Sequence, residues 1–191
     1  MKTIESAVNE IFDLYTLYGE ADYIGEPVSQ IEHMSQSAQL AMQEGYDDEV
    51  ILAAFFHDIG HICVTHSEAG KNMGGYGMKR HEQIGADFLR ARGFSERVAQ
   101  LVENHVQAKR YLTFQDPDYY HQLSEASKKT LEYQGGVMTA EEAKTFEKDP
   151  LFEVSIRMRR WDELAKEINI PLLDTHELKA RAIRVLAKNT L

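Results

Sequence analysis

The sequence predicts an all-α protein, a bundle of about eight or nine helices. Apolar residues recur at helical spacing through most of the chain, and no segment shows the sustained alternation bounded by hairpin turns that predicts strands. The chain has 191 residues, of which 43% are hydrophobic and 27% are charged. This length and composition are typical of one globular domain, residues 1–191, with a sizeable core.

The predicted helices follow one another along the chain. The first covers residues 1–18, and the second begins after Ser29, a good N-cap residue. The third begins at Asp47 or Asp48, and its nearly continuous apolar residues from 50 to 56 predict burial on most sides. Six more helices are predicted within residues 81–93, 95–106, 124–136, 139–148, 150–168 and 174–191.

Two segments between these helices are predicted to be loops. Residues 20–30 contain Gly25 and Pro27, which disfavour regular structure. Residues 66–78 contain four glycines, so we expect a mobile loop there, and a loop of this kind is a candidate lid over a site.

The composition limits the classes of partner. The net charge of −10 would repel nucleic acid and anionic lipid, and no basic run offsets it. No apolar run reaches about 18 residues, and the N-terminus does not resemble a signal peptide. The single cysteine, Cys63, permits no internal disulfide. We therefore expect a cytoplasmic monomer that acts on a small molecule and binds neither nucleic acid nor membrane.

A histidine–aspartate pair, His57 and Asp58, lies where the buried third helix is predicted to end. A carboxylate has two oxygens and can bridge two metal ions about 3.5–4 Å apart, whereas an imidazole gives one nitrogen to one ion. The pair therefore suits a bridged two-metal site. An isolated pair is more often structural, with the histidine next to the helix C-terminus and the aspartate solvated.

Further histidines weaken the structural interpretation of that pair. His33, His57, His81 and His105 each lie on a separate predicted helix. One histidine on an apolar face is usually a hydrogen-bonded core residue, but four on four helices favour a metal site. Asp162 is predicted to lie in mid-helix, where aspartate is unfavourable unless something binds it. Its alternative interpretation is an exposed helix residue.

At this point the pattern resembles that of the HD-domain superfamily, an all-α metal-binding fold. The matching framework consists of His33, His57, Asp58 and Asp162. With His81 and His105 in addition, the set over residues 23–162 is similar to the mixed-valent di-iron oxygenases of that superfamily, which include myo-inositol oxygenase and enzymes that cleave 1-hydroxyphosphonates. The residues alone would suit iron, manganese or zinc.

The resemblance implies a cofactor of two iron ions, Fe(II) and Fe(III), with O2 as co-substrate and no organic cofactor. One iron would take His33, His57, Asp58 and Asp162. The other would take His81, His105 and the second oxygen of Asp58.

The stretch DYIGEP, residues 22–27, resembles a loop of the glycine-forming 2-amino-1-hydroxyethylphosphonate dioxygenases. The resemblance implies that Tyr23 is a ligand of the second iron in the resting state and that Glu26 receives the amino group of the substrate. A phenolate favours a ferric ion, and its displacement would open a position for dioxygen. The alternative is that Tyr23 is a surface aromatic and Glu26 is solvated.

The same resemblance implies a pocket for the phosphonate anion, formed by His61, Lys109, Ser127, Thr130 and Arg159. A dianion needs cationic or hydroxyl donors in a chain of negative net charge. On a continuous helix, Lys109 would share a face with His105, and Arg159 would share a face with Asp162.

The implied activity is O2-dependent cleavage of the C–P bond of 2-amino-1-hydroxyethylphosphonate to glycine and phosphate. An oxygenase acting on (R)-1-hydroxy-2-(trimethylammonio)ethylphosphonate, which gives glycine betaine, would have similar iron ligands. Its cation would prefer aromatic walls, for which the candidates are Tyr23, Tyr76, Tyr133 and Phe114.

Three other functions remain open. An HD phosphohydrolase would use a redox-inert metal to activate water and would release phosphate from an ester without oxygen. A non-catalytic, metal-stabilised module would keep the histidines and aspartates but would not need the anion-binding residues. An inositol-cleaving oxygenase would likewise have no use for an anion pocket.

Overall fold

A computed structural model describes residues 3–23, 25–63 and 78–189, and this part of the chain is helical with no named strand. It confirms the predicted all-α fold. Nearly all of the glycine-rich segment at residues 66–78 lies outside the described residues. The described helices are α1 (Ile4–Tyr18), α2 (Gln30–Gln43), α3 (Asp48–Phe56), a 3₁₀ turn (Ile59–His61), α4 (His81–Arg90), α5 (Glu96–Gln115), α6 (Pro117–Gln122), α7 (Glu125–Tyr133), α8 (Ala140–Phe146), α9 (Phe152–Leu164) and α10 (Thr175–Lys188).

Side-chain caps set the starts of the helices that carry the site. Ser29 forms a capping box with Glu32 at the start of α2: the Ser29 hydroxyl accepts from the Glu32 N–H, and the Glu32 carboxylate accepts from the Ser29 N–H at 2.7 Å. Asp47 accepts from the Glu49 and Val50 N–H groups, both at 3.1 Å, and so begins α3. Each cap satisfies backbone donors that the first turn leaves unpaired.

Helix α3 is central, as its apolar composition predicted. Every residue from Val50 to Phe56 is buried, and the helix packs against α2, α5, α9 and α10. Phe55 stacks on Phe12 of α1 at 5.9 Å between ring centroids and lies 4.7 Å from the Tyr15 ring. Burial of each large side chain stabilises the fold by about 1.5–3 kcal/mol. This packing fixes the end of α3, where the His-Asp pair lies.

The described part of the chain contains ten α-helices, one more than the nine helical segments predicted from the sequence. Helix α6 was missed because it is only six residues long and buries only Tyr119. It begins with Pro117 at its first turn, and Asp116 caps it by accepting from the Asp118 N–H at 2.9 Å.

Two helix boundaries also differ from the prediction. Helix α5 continues to Gln115 instead of ending near residue 106, because its buried face includes the polar residues Asn104, Lys109 and Thr113, which an apolar pattern does not count. Helix α9 ends at Leu164 and not at residue 168. Among the described helices, none is long and apolar enough to cross a membrane.

Candidate metal centre

Four histidines from four helical elements converge at the end of α3. They form two pairs: the Nε2 atoms of His33 and His57 are 3.0 Å apart, and those of His81 and His105 are also 3.0 Å apart. All four side chains are buried. The structure therefore brings together the four histidines that the sequence placed on separate helices.

Asp58 lies between the two histidine pairs and turns one oxygen toward each. Its Oδ2 atom is 3.4 Å from His57 Nε2 and 3.7 Å from His33 Nε2. Its Oδ1 atom is 3.2 Å from His81 Nε2 and 3.5 Å from His105 Nε2. Each pair with Asp58 forms a group of three side chains whose donor atoms are close enough to hold one metal ion. The arrangement is that of a carboxylate bridge between two sites.

The tautomers of these histidines indicate that the sites require cations. Each Nδ1 faces a backbone carbonyl, which only accepts, so Nδ1 carries the proton: His33 donates to Ala165 O at 2.8 Å, His57 to Ala54 O at 2.8 Å, His105 to Val102 O at 2.6 Å and His81 to Met78 O at 3.3 Å. In the neutral ring Nε2 is then a bare acceptor. Two bare acceptors 3.0 Å apart in a buried site need a proton or a metal ion beside them, and carbonyl-oriented imidazoles are the usual ligands of metals. The residues present therefore fit two metal ions.

Close backbone packing holds the second histidine pair. Helix α3 ends at Phe56, and the 3₁₀ turn passes so close to α4 that a Cβ atom on Gly60 would lie 1.9 Å from the His81 carbonyl oxygen. A Cβ atom on Gly85 of α4 would lie 3.1 Å from the Gly60 nitrogen and 3.0 Å from the Ile59 side chain. Glycine at position 60 therefore permits the approach that sets His81 beside Asp58.

Asp162 lies in the last turn of α9, which ends at Leu164, and not in mid-helix as predicted. A carboxylate there opposes the helix dipole, and Arg159 compensates by donating from Nη1 to Asp162 Oδ2. Asp162 Oδ1 lies 3.4 Å from His33 Nε2. Burial would raise the pKa of Asp162, but the charge of Arg159 and a hydrogen bond with His33 hold it well below its usual value. A charged carboxylate thus stands beside the first histidine pair.

Asp58 and His57 shift each other's pKa values. Burial would raise the pKa of Asp58, but the charge of His57 and hydrogen bonds with His105, His57 and His81 hold it well below its usual value. Burial would lower the pKa of His57, but the Asp58 carboxylate raises it to about 9. Without a metal ion, protons therefore supply the positive charge that this cluster requires.

Tyr23 lies on the first histidine pair. Its ring stacks on the His33 ring at 4.0 Å between centroids, with 13° between the planes. Burial, the charges of Asp58 and Asp162 and a hydrogen bond with Asp58 raise the pKa of Tyr23 well above its usual value. The phenol is therefore protonated beside the Asp58 carboxylate, and it is not the surface aromatic of the alternative interpretation.

Lys109 is a buried residue of α5, one helical turn after His105. Its Nζ atom donates to Thr130 Oγ1 at 2.7 Å and to Gln134 Oε1 at 3.0 Å, both on or next to α7. Burial and the nearby charge of Arg159 lower its pKa well below the usual value. The structure thus joins Lys109 and Thr130, two residues assigned to the anion pocket, and adds Gln134, which sequence reasoning missed.

His61 lies on the 3₁₀ turn beside His81, and Ser127 lies on α7. The His61 ring stacks on His81 at 4.1 Å, and its Nδ1 accepts from the Met78 N–H at 3.1 Å, so Nε2 carries the proton 3.9 Å from Asp58 Oδ1. Burial and the charge of His81 lower the pKa of His61 to about 3, so the ring is neutral. Ser127 is half-buried on α7, three residues before Thr130.

Arg159 and Glu26 have partners that the sequence analysis did not identify. Arg159 Nε donates to the Tyr119 hydroxyl at 2.9 Å, and its Nη2 donates to Glu163. Glu26 pairs with Lys166, whose Nζ lies 2.7 Å from Glu26 Oε1. Glu26 is therefore not simply solvated. A signal was present for Glu163, one helical turn after Arg159, but none linked Lys166 to a residue 140 positions away.

Comparison with known proteins agrees with this geometry. The model of the HD domain family matches residues 31–145. A [1-hydroxy-2-(trimethylamino)ethyl]phosphonate dioxygenase (glycine-betaine-forming) of Leisingera caerulea is 38% identical over 183 residues, which cover 95% of this chain and 91% of that protein. A hydroxymethylphosphonate dioxygenase of Gimesia maris is 36% identical over 176 residues, covering 92% and 86%. An uncharacterized protein of Acanthamoeba polyphaga mimivirus is 41% identical over 190 residues, covering 100% and 86%.

The fold and the two His-Asp groups define a metal-binding protein of the HD class. More particularly, the chain belongs to the HD-domain family of phosphonate dioxygenases. It is an enzyme, a non-haem metal oxygenase that uses metal and dioxygen.

Proposed function

We propose that this enzyme uses dioxygen to cleave the C–P bond of 2-amino-1-hydroxyethylphosphonate, giving glycine and inorganic phosphate. The observation that carries the proposal is the division of the Asp58 oxygens between two histidine pairs. The reaction balances: one substrate and one O2 give one glycine and one phosphate, and the substrate supplies all the electrons that dioxygen accepts. No organic cofactor is then needed.

The bound metal in this proposal is a mixed-valent pair of iron ions. His33, His57, Asp58 and Asp162 would hold one ion, and His81, His105 and the other oxygen of Asp58 would hold the second, with Tyr23 as a further ligand in the resting state. Such a pair would bind oxygen donors of the substrate and would pass electrons from the substrate to dioxygen, with no net change in the metals. The four Nδ1 hydrogen bonds leave the Nε2 atoms free to bind the ions and would fix the ring orientations.

The phosphonate end of the substrate would be bound by His61, Lys109, Ser127, Thr130 and Arg159. Lys109 and Thr130 are already in contact at 2.7 Å, so an anion reaching one also reaches the other. His61 would donate from Nε2, because its Nδ1 accepts from the Met78 N–H. Charge-assisted hydrogen bonds to phosphonate oxygens are the strong ones in such a pocket.

The amino end of the substrate would be bound by Glu26. Its carboxylate lies 2.7 Å from an ammonium group, that of Lys166, and the Glu26 side chain is 11% exposed. This supports a primary ammonium over trimethylammonium, which has no N–H to donate and is bulkier. Of the aromatic wall candidates, Phe114 and Tyr133 are 38% and 46% exposed and Tyr76 lies outside the described residues.

The two substrates named for the relatives are the competing proposals. The glycine-betaine-forming relative, 38% identical, favours (R)-1-hydroxy-2-(trimethylammonio)ethylphosphonate as the second candidate. Hydroxymethylphosphonate, the substrate named for the relative that is 36% identical, has no group for Glu26 to bind. The HD phosphohydrolase remains the alternative from another class.

Phosphate release with and without oxygen tests these proposals. Iron-loaded protein should release phosphate from 2-amino-1-hydroxyethylphosphonate only when O2 is present, with one O2 consumed per phosphate. It should have a higher kcat/KM for this substrate than for the trimethylammonio and hydroxymethyl compounds. A higher value for either competitor would reassign the substrate, and anaerobic phosphate release from a phosphate ester would favour the phosphohydrolase.

A further inference from the structure

Lys166 holds the carboxylate to which the proposed substrate would bind. Its Nζ atom lies 2.7 Å from Glu26 Oε1 and 3.8 Å from Glu163 Oε2. The Lys166 and Glu26 side chains are 16% and 11% exposed, so the ion pair is largely shielded from water. The Lys166 ammonium group thus occupies the place on Glu26 that is proposed for the amino group of the substrate.

The segment that carries Lys166 is part of the metal centre. Asp162 lies four residues earlier, and the carbonyl of Ala165, the preceding residue, accepts from His33 Nδ1 at 2.8 Å. The segment that carries Lys166 is therefore joined to the centre through the backbone of Ala165 as well as through the Lys166–Glu26 ion pair.

The loop that carries Glu26 contacts the metal centre through the side chains of Tyr23 and Glu26. We call Asp22, Tyr23 and residues 25–29 the Tyr23 loop. Within it, the Tyr23 N–H donates to Val28 O at 3.0 Å and the Glu26 N–H donates to Tyr23 O at 2.9 Å. Its contacts with the centre include the stacking of Tyr23 on His33, a hydrogen bond between Tyr23 and Asp58, and the ion pair of Glu26 with Lys166. Release of the ion pair would therefore loosen the loop that places Tyr23 over the histidines.

We propose that Lys166 is a positioning residue that holds the Tyr23 loop closed in the resting enzyme and is displaced from Glu26 by the ammonium group of the substrate. The proposal rests on the proposed function for the identity of that ammonium group. Exchange of one ammonium for another leaves the shielded Glu26 charge compensated at every stage. A substrate without an amine would leave the Glu26–Lys166 pair in place and would form no ion pair with Glu26.

Hydrogen exchange measured by mass spectrometry on peptides covering residues 20–30 tests the latch directly. The full chain is loaded with iron and kept without O2, so that no turnover occurs. Lys166→Met should speed exchange in these peptides roughly tenfold, whereas Lys166→Arg, which keeps the charge, should stay close to wild type. Lys179→Met is the matched control, because Lys179 Nζ contacts Asn9 Oδ1 at 3.2 Å and the Phe12 ring at 5.7 Å, both on α1 and away from the Tyr23 loop. Unchanged exchange in Lys166→Met would overturn the proposal.

Kinetics supply the second readout. In Lys166→Met the KM for 2-amino-1-hydroxyethylphosphonate should fall several-fold relative to the KM for hydroxymethylphosphonate, because the competing ammonium is gone. An equal change in both KM values would make Lys166 an ordinary anion-binding residue and would overturn the latch. If Lys166→Met does not fold, Glu26→Gln must speed exchange in the same peptides, and its failure to do so is equally decisive. Absence of turnover in the wild type would defeat the proposed function alone, because the exchange experiment does not depend on turnover.

Discussion

His81 and His105 place their Nε2 atoms 3.0 Å apart while each donates its Nδ1 proton to a backbone carbonyl. In their neutral forms the two rings would present lone pairs to each other in a buried site, which is unfavourable without a shared cation. His33 and His57 repeat the same relationship. The fold thus builds two places that need positive charge, and a single carboxylate, Asp58, faces both.

The pH dependence of the metal-free protein follows from the protons that replace the metals. The pKa of His57 is about 9 in the folded chain, above the ordinary 6.5, so its stabilising effect is present below pH 6.5 and is lost as the pH rises through about 9. The pKa of His61 is about 3, so its effect is present above pH 6.5 and is lost as the pH falls toward 3. The free energy of unfolding of chelated protein should therefore peak near pH 6.5 and fall by a few kcal/mol toward pH 9.

Urea unfolding of chelated protein at several pH values measures this dependence. His57→Gln should remove most of the fall between pH 6.5 and 9. An alkaline limb of the same size in His57→Gln and wild type would show that the pKa of His57 is not its cause.

The packing of the Tyr23 loop depends on Gly25. Gly25 has φ +85°, and a Cβ atom there would lie 2.7 Å from the Ala126 Cβ. Gly25→Ala should therefore cost about 1–2 kcal/mol for the backbone and should also displace Tyr23 and Glu26, raising the KM of the amino substrate at least tenfold.

Gly45→Ala is the matched control for that substitution. Gly45 has φ +76° but would place its Cβ in open space, so the variant should lose similar stability and keep its KM. Thermal unfolding and steady-state kinetics of both variants separate the two effects. Equal KM values in the two variants would refute a role for the loop packing in substrate binding.

We expect the buried charge of Lys109 to lower the stability of the fold and to be necessary for binding the phosphonate. Its pKa is lowered by burial, which means that the fold disfavours its charged form. Lys109→Met should leave the free energy of unfolding unchanged or raised, while the KM of the phosphonate rises roughly a hundredfold. Lys128→Met, which removes a lysine paired with the exposed Glu125, should change neither quantity. A fall of several kcal/mol in stability with unchanged KM would assign Lys109 to the fold.

The sequence was sufficient for the parts of the site that lie on regular helices. His33, His57 and His105 lie on or at the end of helices whose apolar faces are readable from helical spacing, and the third helix was predicted to end at the His57–Asp58 pair. The structure brings these residues together with Asp58, as expected. The packing of helices around α3 explains why local periodicity was a good guide here.

Interactions between distant irregular segments were not predictable in this way. Lys166 follows the end of α9, and Glu26 lies in a turn far away in sequence, so no periodic pattern relates them. Arg159 was assigned to the substrate, but the structure shows it already contacting Asp162, Glu163 and Tyr119. Buried polar residues such as Lys109 also concealed the true length of α5.

Metal content is the most direct test of the central claim that Asp58 bridges two ions. Chain purified without oxygen and equilibrated with Fe(II) should contain two iron ions per chain by elemental analysis. His105→Ala should retain one, and Asp58→Asn should lose most of both, while the control His121→Ala, at an exposed position of α6, should retain two. One iron or none in the wild type, or two in Asp58→Asn, would contradict the account.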